Sequence, residues 1–360
     1  NKKVRIKELH LFEGLGKAKV DTVRSGDLCA AVGIEDFEIG DTITTVENPD
    51  PLPRIKIDEP TMSMLFTINT SPFFGKEGKF VTSRHIRERL DKELEKNLAL
   101  RVSSTDSADR FTVYGRGVLH LSVLIETMRR EGFEILVSRP TVIKKTIDGR
   151  SHEPFETLYL EVPDEAVGGC MQSLANRKGQ VESMSANKGR TTLQATIPTR
   201  GLIGFEFELL NLTSGEGIMS HLFKEYRPDS GDIRTRRTGT LVSMEKGEAN
   251  TYALRNIETR GKLFVGAGEE VYEGMVVGEN PRTEDLPVNP TKAKHVTNHR
   301  AAGSDRTEAL TPAIKFSLER AIEYIAPDEL VEVTPKNIRL RKRILDSSVR
   351  KRESKKTSSQ

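Results

Sequence analysis

Two stretches of this chain, 59–148 and 153–227, carry the same order of elements: strand, helix, strand, strand, helix, strand. In the first, the apolar run 62–69 reads as a strand. Thr82 or Ser83 can cap a helix with Ile86, Leu90, Leu94 and Leu98 on one stripe. Strands follow at 99–102 and 111–114. Leu121, Leu124, Ile125 and Met128 then recur at helical spacing until Gly132 stops them, and 133–137 returns as a strand. In the second, a strand at 157–162 leads through Pro163 into a helix carrying Val167, Met171 and Leu174, closed by Gly179. Strands at 181–185 and 192–197, a helix with Leu202, Phe205 and Leu209 ending at Gly215, and a strand at 218–226 complete it. Each half buries two helices on one sheet, the split βαβ sandwich. The two halves share this order without close sequence identity.

The flanks differ. Residues 1–58 are short strands punctuated by Gly26-Asp27 and Gly40-Asp41, ending in the Pro-rich linker 48–53. Beyond 227 the chain is strands and loops with one clear helix, in which Thr311 caps, Pro312 takes the first turn, and Leu318, Ala321, Ile322 and Ile325 form the buried stripe. The stretch 281–306 has no periodicity and reads as a long loop. The expected fold is therefore α+β: partial β-barrel strands over 1–58, two ferredoxin-like βαββαβ sandwiches over 59–148 and 149–227, a mostly β C-terminal domain over 228–345, and a basic tail over 346–360. No apolar run approaches the ~20 residues a bilayer requires, so no membrane partner is expected. Cys29 and Cys170 form no CxxC, which argues against a disulfide framework or a structural zinc site. A cytoplasmic monomer with reduced thiols is expected.

The net charge of +3 conceals an asymmetry. Residues 335–360 hold ten basic side chains against Asp346 and Glu353 alone, while the rest of the chain is mildly acidic. A clustered basic end suits a polyanion, RNA first. In Ile338-Arg339-Leu340-Arg341-Lys342-Arg343, strand alternation would set Arg339, Arg341 and Arg343 on one face, a row of guanidiniums for spaced phosphates. The competing reading is an edge strand protected by charge. The long loop adds Arg282, Lys292, Lys294, His295, His299 and Arg300 as further RNA candidates, with Lys342 beside the row.

No motif in the chain supports catalysis. A P-loop is absent, and Gly75-Lys76-Glu77-Gly78-Lys79-Phe80 lacks its spacing and its Ser/Thr. In Asn187-Lys188-Gly189-Arg190 an arginine stands where a guanine-reading carboxylate would be needed. Gly115-Arg116-Gly117 has no third glycine. All three read as turns. His295 and His299 are four apart, but Val296 replaces the glutamate of HExxH and the segment is not helical. No catalytic, cofactor or metal residues are assigned. The RNP1 aromatics of sheet-face RNA readers are also missing.

Longer motifs carry a resemblance. Pro198, Gly204, Phe205, Thr213, Gly215, Gly217, Phe223 and Tyr226, preceded by Arg177-Lys178-Gly179-Gln180, have the spacing of the fifth domain of elongation factor G. The run Asn69-Thr70-Ser71-Pro72-Phe73-Phe74-Gly75-Lys76-Glu77-Gly78-Lys79-Phe80-Val81-Thr82-Ser83 resembles the BipA/TypA family of translational GTPases. So do Met128-Arg129-Arg130-Glu131-Gly132-Phe133, Arg260-Gly261-Lys262-Leu263-Phe264, Val271-Tyr272-Glu273-Gly274 and Asp328-Glu329-Leu330-Val331-Glu332-Val333-Thr334-Pro335. The resemblance covers essentially the whole chain. It implies the third, fifth and C-terminal domains of such a protein, with 1–58 as the end of its second-domain β-barrel. The GTPase domain, with its GTP and Mg, is expected outside this chain, which opens at Asn1 without a Met. It further implies binding to the ribosome through ribosomal RNA and A-site tRNA, with roles in large-subunit assembly and stress adaptation. An elongation factor G-like translocation factor and a stand-alone RNA-acting enzyme are the alternatives. The first would need a fourth domain, and the second a carboxylate or metal cluster.

Overall fold

The computed structural model describes residues 3–35, 37, 39–47, 49–53, 59–233, 236, 238–293 and 310–357. It divides into two units, Asn1–Asp58 and Glu59–Gln360. The first unit holds β1 (Glu8–Glu13), β2 (Gly16–Val20) and β3 (Cys29–Val32) in an antiparallel sheet of order β2-β1-β3. Short strands are expected there, and β3 follows the Gly26-Asp27 turn, but 42–47 after Gly40-Asp41 forms no strand, and among the described residues the three strands close no barrel.

In the second unit the first sandwich comprises β4 (Met62–Ile68), α1 (Ser83–Leu94), β5 (Arg101–Ser104), β6 (Arg110–Gly115), α2 (Val118–Glu131) and β7 (Ile135–Ser138). Its strands run β7-β4-β6-β5, the 4-1-3-2 order of a ferredoxin-like sheet. Thr82 caps α1, its hydroxyl accepting from the His85 N–H. Leu121, Ile125 and Met128 are completely buried and Leu124 nearly so, as their spacing requires. Gly132 ends α2 at φ +98°, a left-handed cap that an L side chain would strain. Leu98 lies past the end of α1 and is exposed, so the α1 stripe stops at Leu94. Leu124→Ala should cost ~2–5 kcal/mol in a urea titration, as a buried leucine leaves a cavity.

Short strands β8 (Thr141–Val142) and β9 (Lys145–Ile147) lead to the second sandwich. It contains β10 (Arg150–Pro163), α3 (Val167–Asn176), β11 (Gln180–Asn187), β12 (Arg190–Pro198), α4 (Thr199–Leu202), α5 (Phe205–Leu212) and β13 (Ile218–Pro228). The order β11-β12-β10-β13 is again 4-1-3-2, in a sheet separate from the first. Its core is Leu158, Leu160, Leu174, Leu193, Ile197 and Phe205, with Cys170 among them. The α3 stripe is turned slightly from the expected one: Cys170, Ser173 and Leu174 are buried, and Met171 is exposed.

The C-terminal segment supplies β14 (Gly239–Ser243), β15 (Gly247–Glu248), α6 (Thr251–Glu258), β16 (Lys262–Leu263), β17 (Glu270–Val271), β18 (Val276–Asn280), β19 (Leu286–Val288), α7 (Leu318–Tyr324), β20 (Glu329–Val333), β21 (Ile338–Lys342) and α8 (Ser347–Thr357). Strands β16-β18-β14-β19 form a small sheet over a core that includes Leu241, Leu254, Val271 and Tyr272. The hairpin β20-β21 leaves that sheet. It extends the first sandwich, β20 pairing antiparallel with β7 so that Val331 faces Val137 and Val333 faces Ile135. The resulting sheet runs β21-β20-β7-β4-β6-β5, and α7 packs its buried Leu318, Ala321 and Ile322 into the same core. The C-terminal segment is thus fused to the first sandwich through a shared sheet and core.

Four details differ from the expected segment. Helix α7 starts at Leu318 with Ser317 as its cap, because the Ser317 hydroxyl accepts from the Arg320 N–H; Thr311 and Pro312 precede it. Helix α6 is an additional one, capped by Asn250, whose side chain accepts from the Ala253 N–H. The tail forms α8, started by the Asp346 carboxylate, which accepts from the Ser348 and Val349 N–H groups. The supposed loop 281–306 also begins with order, as β19 pairs parallel with β14.

Candidate nucleic-acid interface

The family-like motifs converge on a buried polar core beneath β20 and β21. Asn69, at the end of β4, donates to both Glu134 and Glu332, each at 3.3 Å. Glu332 is fully buried and also accepts from Ser71 Oγ at 2.9 Å, Tyr272 OH at 2.5 Å and Arg339 at 3.2 Å. Glu134 accepts from the backbone N–H groups of Gly75, Glu77 and Gly78 at 2.8, 2.9 and 2.6 Å. A glutamate of this chain therefore fills the amide cradle of the Gly75–Gly78 turn. The approach leaves no room for a larger residue: a Cβ on Gly78 would lie 2.4 Å from Glu134 Cγ.

Asn187-Lys188-Gly189-Arg190 is the two-residue turn of the β11–β12 hairpin, with Lys188 and Gly189 at φ +50° and +84°. Gly115-Arg116-Gly117 is the turn from β6 into α2. These glycine motifs are turns, as their spacing suggested.

Three of the predicted RNA residues are used by the fold itself. Arg339 pairs with Glu77 at 2.7 Å and Glu332 at 3.2 Å, and stacks 5.1 Å from the Phe73 ring centre. Arg341 is 2% exposed and donates to Thr70 and to the carbonyls of Lys342 and Arg343. Lys342 is 2% exposed and held by Asp285, Asp328 and Glu329 at 2.5, 2.9 and 2.8 Å. Arg339 and Arg341 do share a face, but the 69–77 loop and Tyr272 cover it, so the expected open row of guanidiniums is not formed. Arg343 alone of the row is exposed, and it borders a cleft of about 590 Å³ with Arg350 and Lys351. Arg282 and Lys292 are exposed as well, at the two ends of the turn that follows β18 and contains β19. Lys294, His295, His299 and Arg300 lie outside the described residues.

Burial works to raise the Glu77 carboxyl, but hydrogen bonds from Thr334, Arg339 and Asn337 outweigh it and bring it down to about 2. A carboxyl depressed in the fold contributes stability above its ordinary 4.5, and that contribution is lost as pH falls toward 2. Urea stability should therefore drop between those values, and Glu77→Gln should flatten part of the slope. An unchanged acid limb in the variant would show that Glu77 is not what titrates.

Other charged side chains at cavity walls drew no attention in the sequence. Arg139 follows β7, and Arg320 and Glu323 lie on α7. Burial pushes the Glu323 carboxyl up to about 6. A faint signal existed: Phe316, Arg320 and Tyr324 are spaced by four, with Phe316 just ahead of the Ser317 cap and the other two on α7.

Comparison with known proteins agrees with this geometry. Residues 150–237 match the elongation factor G C-terminus, and residues 238–347 match the TypA/BipA C-terminal domain. The chain is 50% identical over 341 residues to the large ribosomal subunit assembly factor BipA of Synechocystis sp., covering 94% of this chain and 57% of that protein. It is 48% identical over 357 residues to BipA of Bacillus subtilis, covering 99% and 58%. BipA of Escherichia coli shares 50% over 343 residues, covering 94% and 56%. The chain thus spans a little over half the length of these relatives. Its two sandwiches, the C-terminal hairpin that joins the first of them, and this similarity place the chain in the BipA/TypA family.

Proposed function

We propose that this chain is the ribosome-binding part of a large-subunit assembly factor, and that it contacts ribosomal RNA. The observation that carries the reading is identity near 50% along almost the whole chain to proteins named for large ribosomal subunit assembly. Exposed Arg282, Lys292 and Arg343 supply cations on the C-terminal domain for phosphate contact. The stretch carrying Lys294, His295, His299 and Arg300 belongs to the same reading, with the acceptor end of A-site tRNA as a second target. Action as a cytoplasmic monomer and a role in stress adaptation belong to it too. GTP and Mg are left to a GTPase domain outside this chain, whose own glycine motifs fold as turns.

Co-sedimentation with purified large subunits tests the reading. The chain should pellet with them, and binding should weaken as a power of salt concentration, by about 0.7–0.9 in log–log slope per neutralised phosphate. Failure to pellet at low salt would refute it. A translocation factor of the elongation factor G type is the weaker reading, because residues 238–347 match the TypA/BipA C-terminal domain.

A further inference from the structure

The second sandwich and the C-terminal domain enclose a cavity of about 230 Å³. That is below the ~300–1,000 Å³ of drug-sized pockets and suits a single planar ring system. Gly204 and Phe207 form one side, and Phe316, Arg320, Glu323 and Tyr324 form the other. The Phe316 and Tyr324 ring centres are 5.0 Å apart, and Phe264 meets both edge-on at 4.8 and 5.6 Å. The Arg320 guanidinium lies 4.1 Å from the Phe207 ring centre and 4.8 Å from that of Phe316. The site already holds one planar group between two aromatic faces.

Its charges are incompletely matched. Neither Arg320 nor Glu323 makes an ion pair among the described residues, and the Gly204 backbone is the one hydrogen-bonding neighbour of the Glu323 carboxylate. Arg177, on the same wall, draws the Glu323 carboxyl down without overcoming its burial, and a half-buried carboxylate with no direct ion pair costs stability. The upward shift of Glu323 to about 6 still leaves it ionised at neutral pH. Arg236, over the Tyr324 ring at 4.9 Å, is shared with a neighbouring cavity of about 300 Å³. Arg139 lines that second cavity, also without an ion pair among the described residues.

We infer that the first cavity takes one unstacked guanine of a single RNA strand, its ring against the Phe316–Tyr324 wall, its N1–H and N2–H₂ edge on Glu323, and a flanking phosphate at Arg139. Unstacked bases held on aromatic and arginine planes are how proteins read single-stranded RNA. An ionised carboxylate offers two acceptors side by side. Among the four bases, guanine alone presents two adjacent donors on its Watson–Crick edge; adenine and cytosine pair a donor with an acceptor there, and uracil flanks one donor with acceptors. The inference rests on the RNA-binding reading above and narrows it to one base.

The test uses the full chain and three labelled single-stranded RNA pentamers, UUGUU, UUAUU and UUUUU, followed by fluorescence anisotropy. The guanine strand should bind about tenfold more tightly than the other two, the discrimination expected of a paired base contact. Glu323→Gln should abolish the preference for guanine over adenine while leaving stacking affinity. Because it removes a half-buried charge, its melting temperature should not fall. Arg139→Ala should weaken all strands alike and flatten the salt dependence. Equal affinity for the three strands, or a preference that survives Glu323→Gln, overturns the inference. Ribosome co-sedimentation in parallel separates the two claims. Pelleting without guanine preference removes the base site alone, whereas loss of both RNA binding and pelleting removes the parent reading with it.

Discussion

Glu329→Ala should destabilise the chain by ~3–5 kcal/mol, measured as a shift in urea unfolding, because it strands two buried cations. Glu329 is 1% exposed at the start of β20. It accepts from both arms of Arg236 at 2.8 and 3.0 Å, from Lys342 at 2.8 Å and from the Ala326 N–H at 2.8 Å. Burial acts to raise its carboxyl, and Arg236 and Lys342 more than reverse that, so it is ionised at neutral pH. Removing it leaves Lys342 to Asp285 and Asp328 at the cavity edge and leaves Arg236 without a paired carboxylate among the described residues. Lys342→Met should cost less, since Glu329 keeps Arg236 and an ammonium no longer has to be desolvated. A Glu329→Ala cost under about 1 kcal/mol, or a larger cost for Lys342→Met, would mean that the group acts as a surface pair.

That ion group shows where the sequence stopped being informative. Periodicity alone located Leu121, Ile125 and Met128 on α2 and Leu318, Ala321 and Ile322 on α7, because a helix buries a fixed stripe whatever covers it. The glycine motifs were readable as turns, because each lacked the residue types its chemistry needs. Alternation correctly set Arg339 and Arg341 on one face of β21, but alternation does not say what lies over a face. Here the cover is the 69–77 loop, whose Glu77 meets Arg339 across 262 positions of sequence. A clue was present in the Glu329-Leu330-Val331-Glu332-Val333 run. Two acids inside an apolar strand are buried at a cost unless cations reach them, and the facing strand supplied those cations. The start of α7 was misplaced for a local reason. Pro312 suits a first helical turn, yet Ser317 caps five residues later, and a single chain gives no means of ranking the two. The cavity flanked by Glu323 left only the Phe316, Arg320 and Tyr324 spacing in the sequence, since its walls come from two domains.

Neutralising Lys292, Lys294 and Arg300 together should weaken binding to large subunits and reduce the magnitude of the log–log salt slope by about 2–3 if all three meet phosphates. With Arg339, Arg341 and Lys342 committed to internal pairs, the weight of the RNA reading moves to the 281–306 stretch and to Arg343. That stretch also carries Arg282, His295, His299 and Arg306 against Glu284, Asp285 and Asp305. One of those acids is spoken for, as Asp285 pairs with Lys342 at 2.5 Å and accepts from Thr240. Its carboxylate therefore does little to offset the positive charge of that stretch. Lys292 is exposed, and its carbonyl accepts from Asn250, the cap of α6, at 3.1 Å, which anchors the start of the basic segment to a helix end. Phosphate contact predicts loss at every salt concentration with the largest loss at low salt, because each cation removed means fewer counterions released. A structural role predicts a fall in urea stability with an unchanged slope. The triple variant should therefore melt like the parent chain while binding less tightly; unchanged affinity and slope would leave these side chains as solvated charges and return the RNA assignment to Arg343 and the tail.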